Sequence, residues 1–134
     1  MAKLIDTNLI IRFLLKDNLT QAEAAKTILT QSDEDLILPD IAVAEVVWVL
    51  QSVYEFKKQE VIEKIFELLK LSSLIINSSL LTNSLVIYQN HHISFVDAYL
   101  MAYCEYYKLA GIYSFDKGLD KVKGVKRFAS KQVW

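Results

Sequence analysis

Apolar positions along the chain fall into two kinds of block. Short runs closed by polar or turn residues read as buried strands: about Ala2–Ile5, Leu36–Leu38 stopped by Pro39, Leu74–Ile76, Ile112–Phe115, and a last one near Val125–Phe128. Between them, apolar residues recur at helical spacing. Asn8–Leu15 is a short helix. Thr20–Thr30 is a second, with Thr20 as N-cap and Glu23 three residues on. Asp40 N-caps a third that runs to about Tyr54, and Lys58–Leu71 carries one wet face. Leu80–Asn90 and the aromatic Ser94–Leu109 follow, with Gly111 as the C-cap glycine of the latter. A turn holds Gly118. Strands alternating with helices predict an α/β domain with a central, mainly parallel, short-stranded sheet flanked by helices on both faces. Ligands of such sheets gather at the carboxyl ends of the strands.

One helix breaks the apolar pattern. Ile41–Leu50 reads IAVAEVVWVL, and its single polar residue is Glu45. An isolated carboxylate in apolar surroundings is costly unless it is paired or protonated. Its same-face neighbours Ile41, Ala42, Trp48 and Val49 offer no partner. The partner must come from elsewhere in the chain, or be a cation. Packing of Val46, Trp48 and Val49 is expected to hold the helix firmly.

Composition narrows the class. The 134 residues suit one domain with one core, 1–134, and 53 % hydrophobic against 23 % charged content is that of an ordered globular protein. Three glycines and one proline argue against long linkers. The single cysteine, Cys104, reads as a buried thiol. MAKLIDTN has no signal-peptide core, and no apolar run suffices to span a bilayer, so a cytoplasmic protein with no membrane partner is expected. A net charge of −1 does not advertise nucleic-acid binding, yet Lys117, Lys121, Lys123, Lys126, Arg127 and Lys131 face only Asp120 near the end.

Four acids stand out by position. Asp6 closes the first strand, Glu45 lies in the apolar helix, Asp97 in the first turn of the aromatic helix, and Asp116 after the fourth strand. Each of the three aspartates has an ordinary structural reading. Asp6 can N-cap the next helix, Asp97 with Ser94 resembles a capping box, and Asp116 can form an Asx-turn before Gly118. One shared site at the strand ends accounts for all four together. Clustered carboxylates repel, and a hard divalent cation, Mg²⁺ or Mn²⁺, removes that conflict. Thr7, Asn8 and Ser114 are polar neighbours able to orient ions or substrate. His91 and His92 sit side by side in a polar loop and do not form a zinc set. Such carboxylates with Mg²⁺ form a recurring apparatus for phosphodiester hydrolysis.

LIDTNLIIRFLL, LPDIAVAEVVWVL, ISFVDAYLMAY and YSFDKG resemble, in order and spacing, the PIN-domain nucleases, and among them the VapC-type toxins of toxin–antitoxin pairs. The resemblance runs from Lys3 to about Phe128. It places the family's acids on Asp6, Glu45, Asp97 and Asp116, with Ser114 where the family usually has threonine. It implies a PIN-like fold and a Mg²⁺- or Mn²⁺-dependent endoribonuclease acting on RNA. It further implies a homodimer and an antitoxin whose tail covers the active-site groove. Arg12 is a candidate contact for phosphate or antitoxin, or an ordinary surface arginine. Asp120 reads as a turn residue with a potential accessory metal role. The rivals are a stand-alone PIN nuclease of RNA maturation, a Mg²⁺-binding signalling module, and a catalytically silent interaction domain using Tyr99, Tyr103, Tyr106 and Tyr107. The signalling module lacks its phosphoacceptor, since LIINSS offers Asn77 and Ser78 instead.

Overall fold

The computed structural model describes residues 1–31 and 33–130; Lys131 of the basic run lies outside the described residues. The chain forms two compact units, Met1–Ser78 and the remainder from Ser79.

The first unit runs β1 (Lys3–Leu4), α1 (Thr7–Leu15), α2 (Leu19–Gln31), β2 (Leu36–Ile37), α3 (Asp40–Ser52), α4 (Lys58–Leu69) and β3 (Leu74–Ile75). The strands pair in parallel in the order β1-β2-β3, with Leu4 opposite Ile37 and Ile37 opposite Ile75. The ladder continues past the strand ends through Ile5 N–H to Ile37 (2.9 Å) and Leu38 N–H to Ile75 (3.1 Å). Parallel neighbours need crossovers, and the intervening helices supply them.

Each helix of this unit buries one stripe. α1 buries Ile10, Ile11 and Leu14; α2 buries Ala22, Ala25 and Leu29 and packs against α1. α3 buries Val43, Val46, Val47 and Leu50, and α4 buries Val61, Ile62, Ile65 and Leu68. A fully buried side chain of this size contributes about 1.5–3 kcal/mol. Two expected caps are displaced. The Oδ1 of Asn18, not Thr20, accepts the Gln21 N–H (3.1 Å) and opens α2, because the chain leaves α1 through left-handed Lys16 (φ 58°) and meets Asn18 first. Asp40 is the first residue of α3, not its cap; Pro39 precedes it in extended conformation.

The second unit comprises α5 (Ser78–Asn90), which starts on the boundary residue, α6 (Phe95–Tyr106), β4 (Ile112–Tyr113), a 3-10 turn (Lys117–Lys121) and β5 (Arg127–Phe128). β4 and β5 pair in parallel, so every strand pair among the described residues is parallel. Tyr88 and Phe95, both buried, meet edge to face at 5.7 Å and join α5 to α6. Cys104 is buried as expected, and burial pushes its thiol upward, with the Glu105 charge adding to this.

Gly111 does not cap α6. Lys108 takes the left-handed position (φ 54°), and the Leu109 N–H returns to the Cys104 carbonyl (2.9 Å). Gly111 serves a different need. A Cβ there would collide with the Lys126 carbonyl and lie 2.8 Å from the Phe128 ring, so only glycine lets β5 approach the start of β4.

Candidate functional site

Asp6 stands where β1 ends and α1 begins. Its Oδ1 accepts the Leu9 N–H (3.0 Å), so the capping role is real, and it leaves Oδ2 for other work. Asp6, Thr7 and Asn8 line one side of a recess of about 450 Å³; Pro39, Ile41, Ala42 and Glu45 line the other. The first unit thus brings two of the four acids to one cavity, at the carboxyl ends of β1 and β2.

Glu45 is not enclosed by apolar side chains. It is exposed, and its same-face neighbours Ile41 (80 %) and Trp48 (62 %) are exposed too. The buried stripe of α3 is the opposite one. Trp48 therefore does not anchor the helix; fully buried Val46 does, with half-buried Val49 beside it. A carboxylate facing solvent costs little. What needs explaining is the large apolar surface around it.

Asp6 and Asn8 also border a second recess of about 220 Å³ with Leu9, Arg12, Gln21, Ala24, Ala25 and Ile28, between α1 and α2. The Arg12 guanidinium grips Asp17 through both carboxylate oxygens (2.7 and 2.8 Å). That pairing holds the Asp17 carboxyl below, and the guanidinium above, its ordinary range.

In the second unit, Ser94 caps α6 by accepting the Asp97 N–H (3.1 Å), which sets half-buried Asp97 in the first turn. Asp116 accepts the Gly118 N–H on Oδ1 (2.8 Å), the expected Asx-turn, while its own N–H donates to Ser114 Oγ (3.0 Å). Ser114 therefore orients the segment that carries Asp116. Asp120 has a structural partner. Arg127 donates to both its oxygens (2.8 and 3.1 Å) and to the Ser114 carbonyl (2.9 Å). The pairing holds the Asp120 carboxyl low. The sequence shows Arg127 as part of a basic run but not its pairing with Asp120, because nothing periodic links a strand residue to an acid seven positions earlier across a turn.

Asp6 and Glu45 thus belong to the first unit, Asp97 and Asp116 to the second. Within each unit, no three or more His, Cys, Asp or Glu among the described residues form a group able to hold a metal ion. His91 Nδ1 lies 2.9 Å from the Ile87 carbonyl, which occupies it with helix termination.

The family model of the PIN domain matches residues 3–125, across both units. The chain is a PIN domain. Its α/β architecture, with six helices and short parallel strands among the described residues, is the one expected. PIN domains are typically nucleases and generally use divalent metal ions. No curated protein matches this PIN domain. Among its described residues no helix is long and apolar enough to cross a membrane.

Proposed function

We propose that this PIN domain is a Mg²⁺- or Mn²⁺-dependent endoribonuclease, the VapC-type toxin of a toxin–antitoxin pair. The observation that carries the reading is the pairing of Asp6 and Glu45 on one recess beside Thr7 and Asn8. It occurs in a chain whose family match also takes in Asp97 and Asp116. These four carboxylates are the groups that would hold the cation. Their chemistry fits it: all are hard oxygen donors, and Asp6 and Asp116 each commit only Oδ1 to a backbone N–H. When bound, such a cation supplies Lewis acidity for water activation and counter-charge at the scissile phosphate. The protein's own part is to hold the carboxylates in place before RNA arrives. The Leu9 and Gly118 N–H groups fix two of them, and the buried stripe of α3 fixes the helix that bears Glu45.

Exposed Ile41 and Trp48 flank Glu45, and apolar surface beside a polar site suits a protein partner. An antitoxin tail crossing this recess would cover Asp6 and Glu45 together; a homodimer and a cytoplasmic setting complete the reading. Arg12 would offer phosphate or antitoxin a guanidinium already paired with Asp17 through one nitrogen.

The test is cleavage of a mixed structured RNA pool by antitoxin-free protein with Mn²⁺, Mg²⁺ or EDTA, beside Asp97→Asn. Metal-dependent cutting that disappears in the variant is the expected result; equal cutting in EDTA sinks it. A small upstream reading frame encoding a DNA-binding protein is expected for the toxin. Its absence would favour a stand-alone nuclease of RNA processing.

A further inference from the structure

The two-stranded sheet of the second unit carries an unusual face. Tyr113 is 71 % exposed and Phe115 88 %, while Ile112 before them and Ser114 between them are half-buried. Tyr113 ends β4, and Phe115 follows two residues later in the bend before Asp116. The register sets Tyr113 opposite Phe128, and their rings lie 5.7 Å apart at 45°. Lys126, two residues before Phe128 and so on the same side, holds its ammonium 5.0 Å from the centre of that ring. Arg127 points away to Asp120. The result is an aromatic strip made of the packed Tyr113 and Phe128 rings with a cation at their edge, followed in the chain by exposed Phe115 immediately before Asp116.

Charge decides what suits the strip. From Lys117 to Phe128 there are five cations and one acid, and the Arg127–Asp120 pair cancels one of each, leaving four lysines in a chain of net charge −1. A second copy docking this face against itself would bring two such basic segments together, Lys126 among them. A purely apolar partner would leave them unanswered. Single-stranded nucleic acid answers both features, since every base has a face that stacks on a ring and every linkage carries a phosphate.

We propose that Tyr113 and Phe115 stack bases of single-stranded RNA, with Lys126 taking a flanking phosphate, so that this face presents the strand to Asp116. The choice of RNA rests on the ribonuclease reading above.

The experiment is fluorescence anisotropy of a short, labelled, unstructured RNA in EDTA, where no metal-dependent cleavage intervenes. Tyr113→Ala with Phe115→Ala is expected to weaken binding by about 30-fold or more, since each stacked base contributes about 5-fold or more. Tyr113→Phe retains the ring and is expected to retain the affinity. Lys126→Gln is expected to lower the slope of log K against log salt by about 0.7, one phosphate contact on a single strand. Unchanged binding in the double variant overturns the proposal. So does an unchanged salt slope in Lys126→Gln, or a double variant that alters the sedimentation coefficient of RNA-free protein, which would make the face an interface between copies. The two readings fail separately. Asp116→Asn is expected to bind RNA in this assay at least as well as the parent. Wild-type cleavage with undiminished binding by the double variant removes the strip alone. Ring-dependent binding without cleavage in Mn²⁺ removes the nuclease alone.

Discussion

At the scale of single residues, the aspartates do two jobs that can be separated chemically. Asp6 caps α1 through Oδ1 and, on the proposed function, offers its charge to a cation. Asparagine caps a helix about as well as aspartate but carries no charge. Asp6→Asn is therefore expected to keep the metal-free Tm and lose RNA cleavage, whereas Asp6→Ala loses cleavage and about 1 kcal/mol of stability as well. Thermal melts in EDTA beside a cleavage assay check both. If Asp6→Asn cleaves like the parent, Asp6 is a cap and nothing more. Glu45 gives the cleaner case because it is exposed and caps nothing. Glu45→Gln is expected to leave Tm unchanged and lower cleavage by about two orders of magnitude, a loss typical of removing one charge-stabilising group from an active site. The residue types and spacing of the acids were legible in the sequence. The outward orientation of Glu45 was not, because nine apolar neighbours masked which stripe of α3 is buried.

At the scale of elements, every predicted helix and strand exists, with no end shifted by more than three residues. Hydrophobic periodicity reports the middle of an element and says little about its end. The ends depend on which residue takes the turn. Thr20 and Asn18 are both good caps, and left-handed Lys16 decides between them. Gly111 looked like a helix stop, but its freedom is used where β4 and β5 converge. Gly111→Ala is accordingly expected to cost about 1–3 kcal/mol, the range for overpacking, read as a fall in Tm. A neutral substitution would mean that β5 can move away at no cost. The Arg127–Asp120 pair, which ties β5 to the 3-10 turn, gives the unit an acid sensitivity of known sign. Asp120 is held below the ordinary aspartate value of about 3.9. Below that value the unfolded carboxyl takes a proton while the folded one resists. The pair's contribution is thus present in full above about pH 4 and lost as pH falls through the folded value. The Tm gap between the parent and Asp120→Asn should close over that acid range and narrow in high salt, since Asp120 is solvent-exposed. A gap that widens on acidification would contradict the pairing.

At the scale of the whole molecule, the family match spans two units, each with its own parallel pairing and its own two acids. A cation drawing on Asp6 and Glu45 alone would stabilise the first unit and ignore changes in the second. A cation drawing on all four acids would link the stability of both to metal concentration. Ligand bound only by the folded state adds about 2.7 kcal/mol at a hundredfold excess over Kd. Mn²⁺ is therefore expected to raise the Tm of the parent protein, with the rise reversed by EDTA. Asp97→Asn, a change in the second unit, is expected to abolish most of that rise while leaving the metal-free Tm unchanged or higher. The metal-free behaviour follows because Ser94 caps α6 through the Asp97 backbone N–H, which the substitution keeps. A full Mn²⁺ shift in Asp97→Asn that is lost in Glu45→Gln would confine the metal to the recess of the first unit. Asp97 and Asp116 would then be left with the structural roles that their own hydrogen bonds already describe.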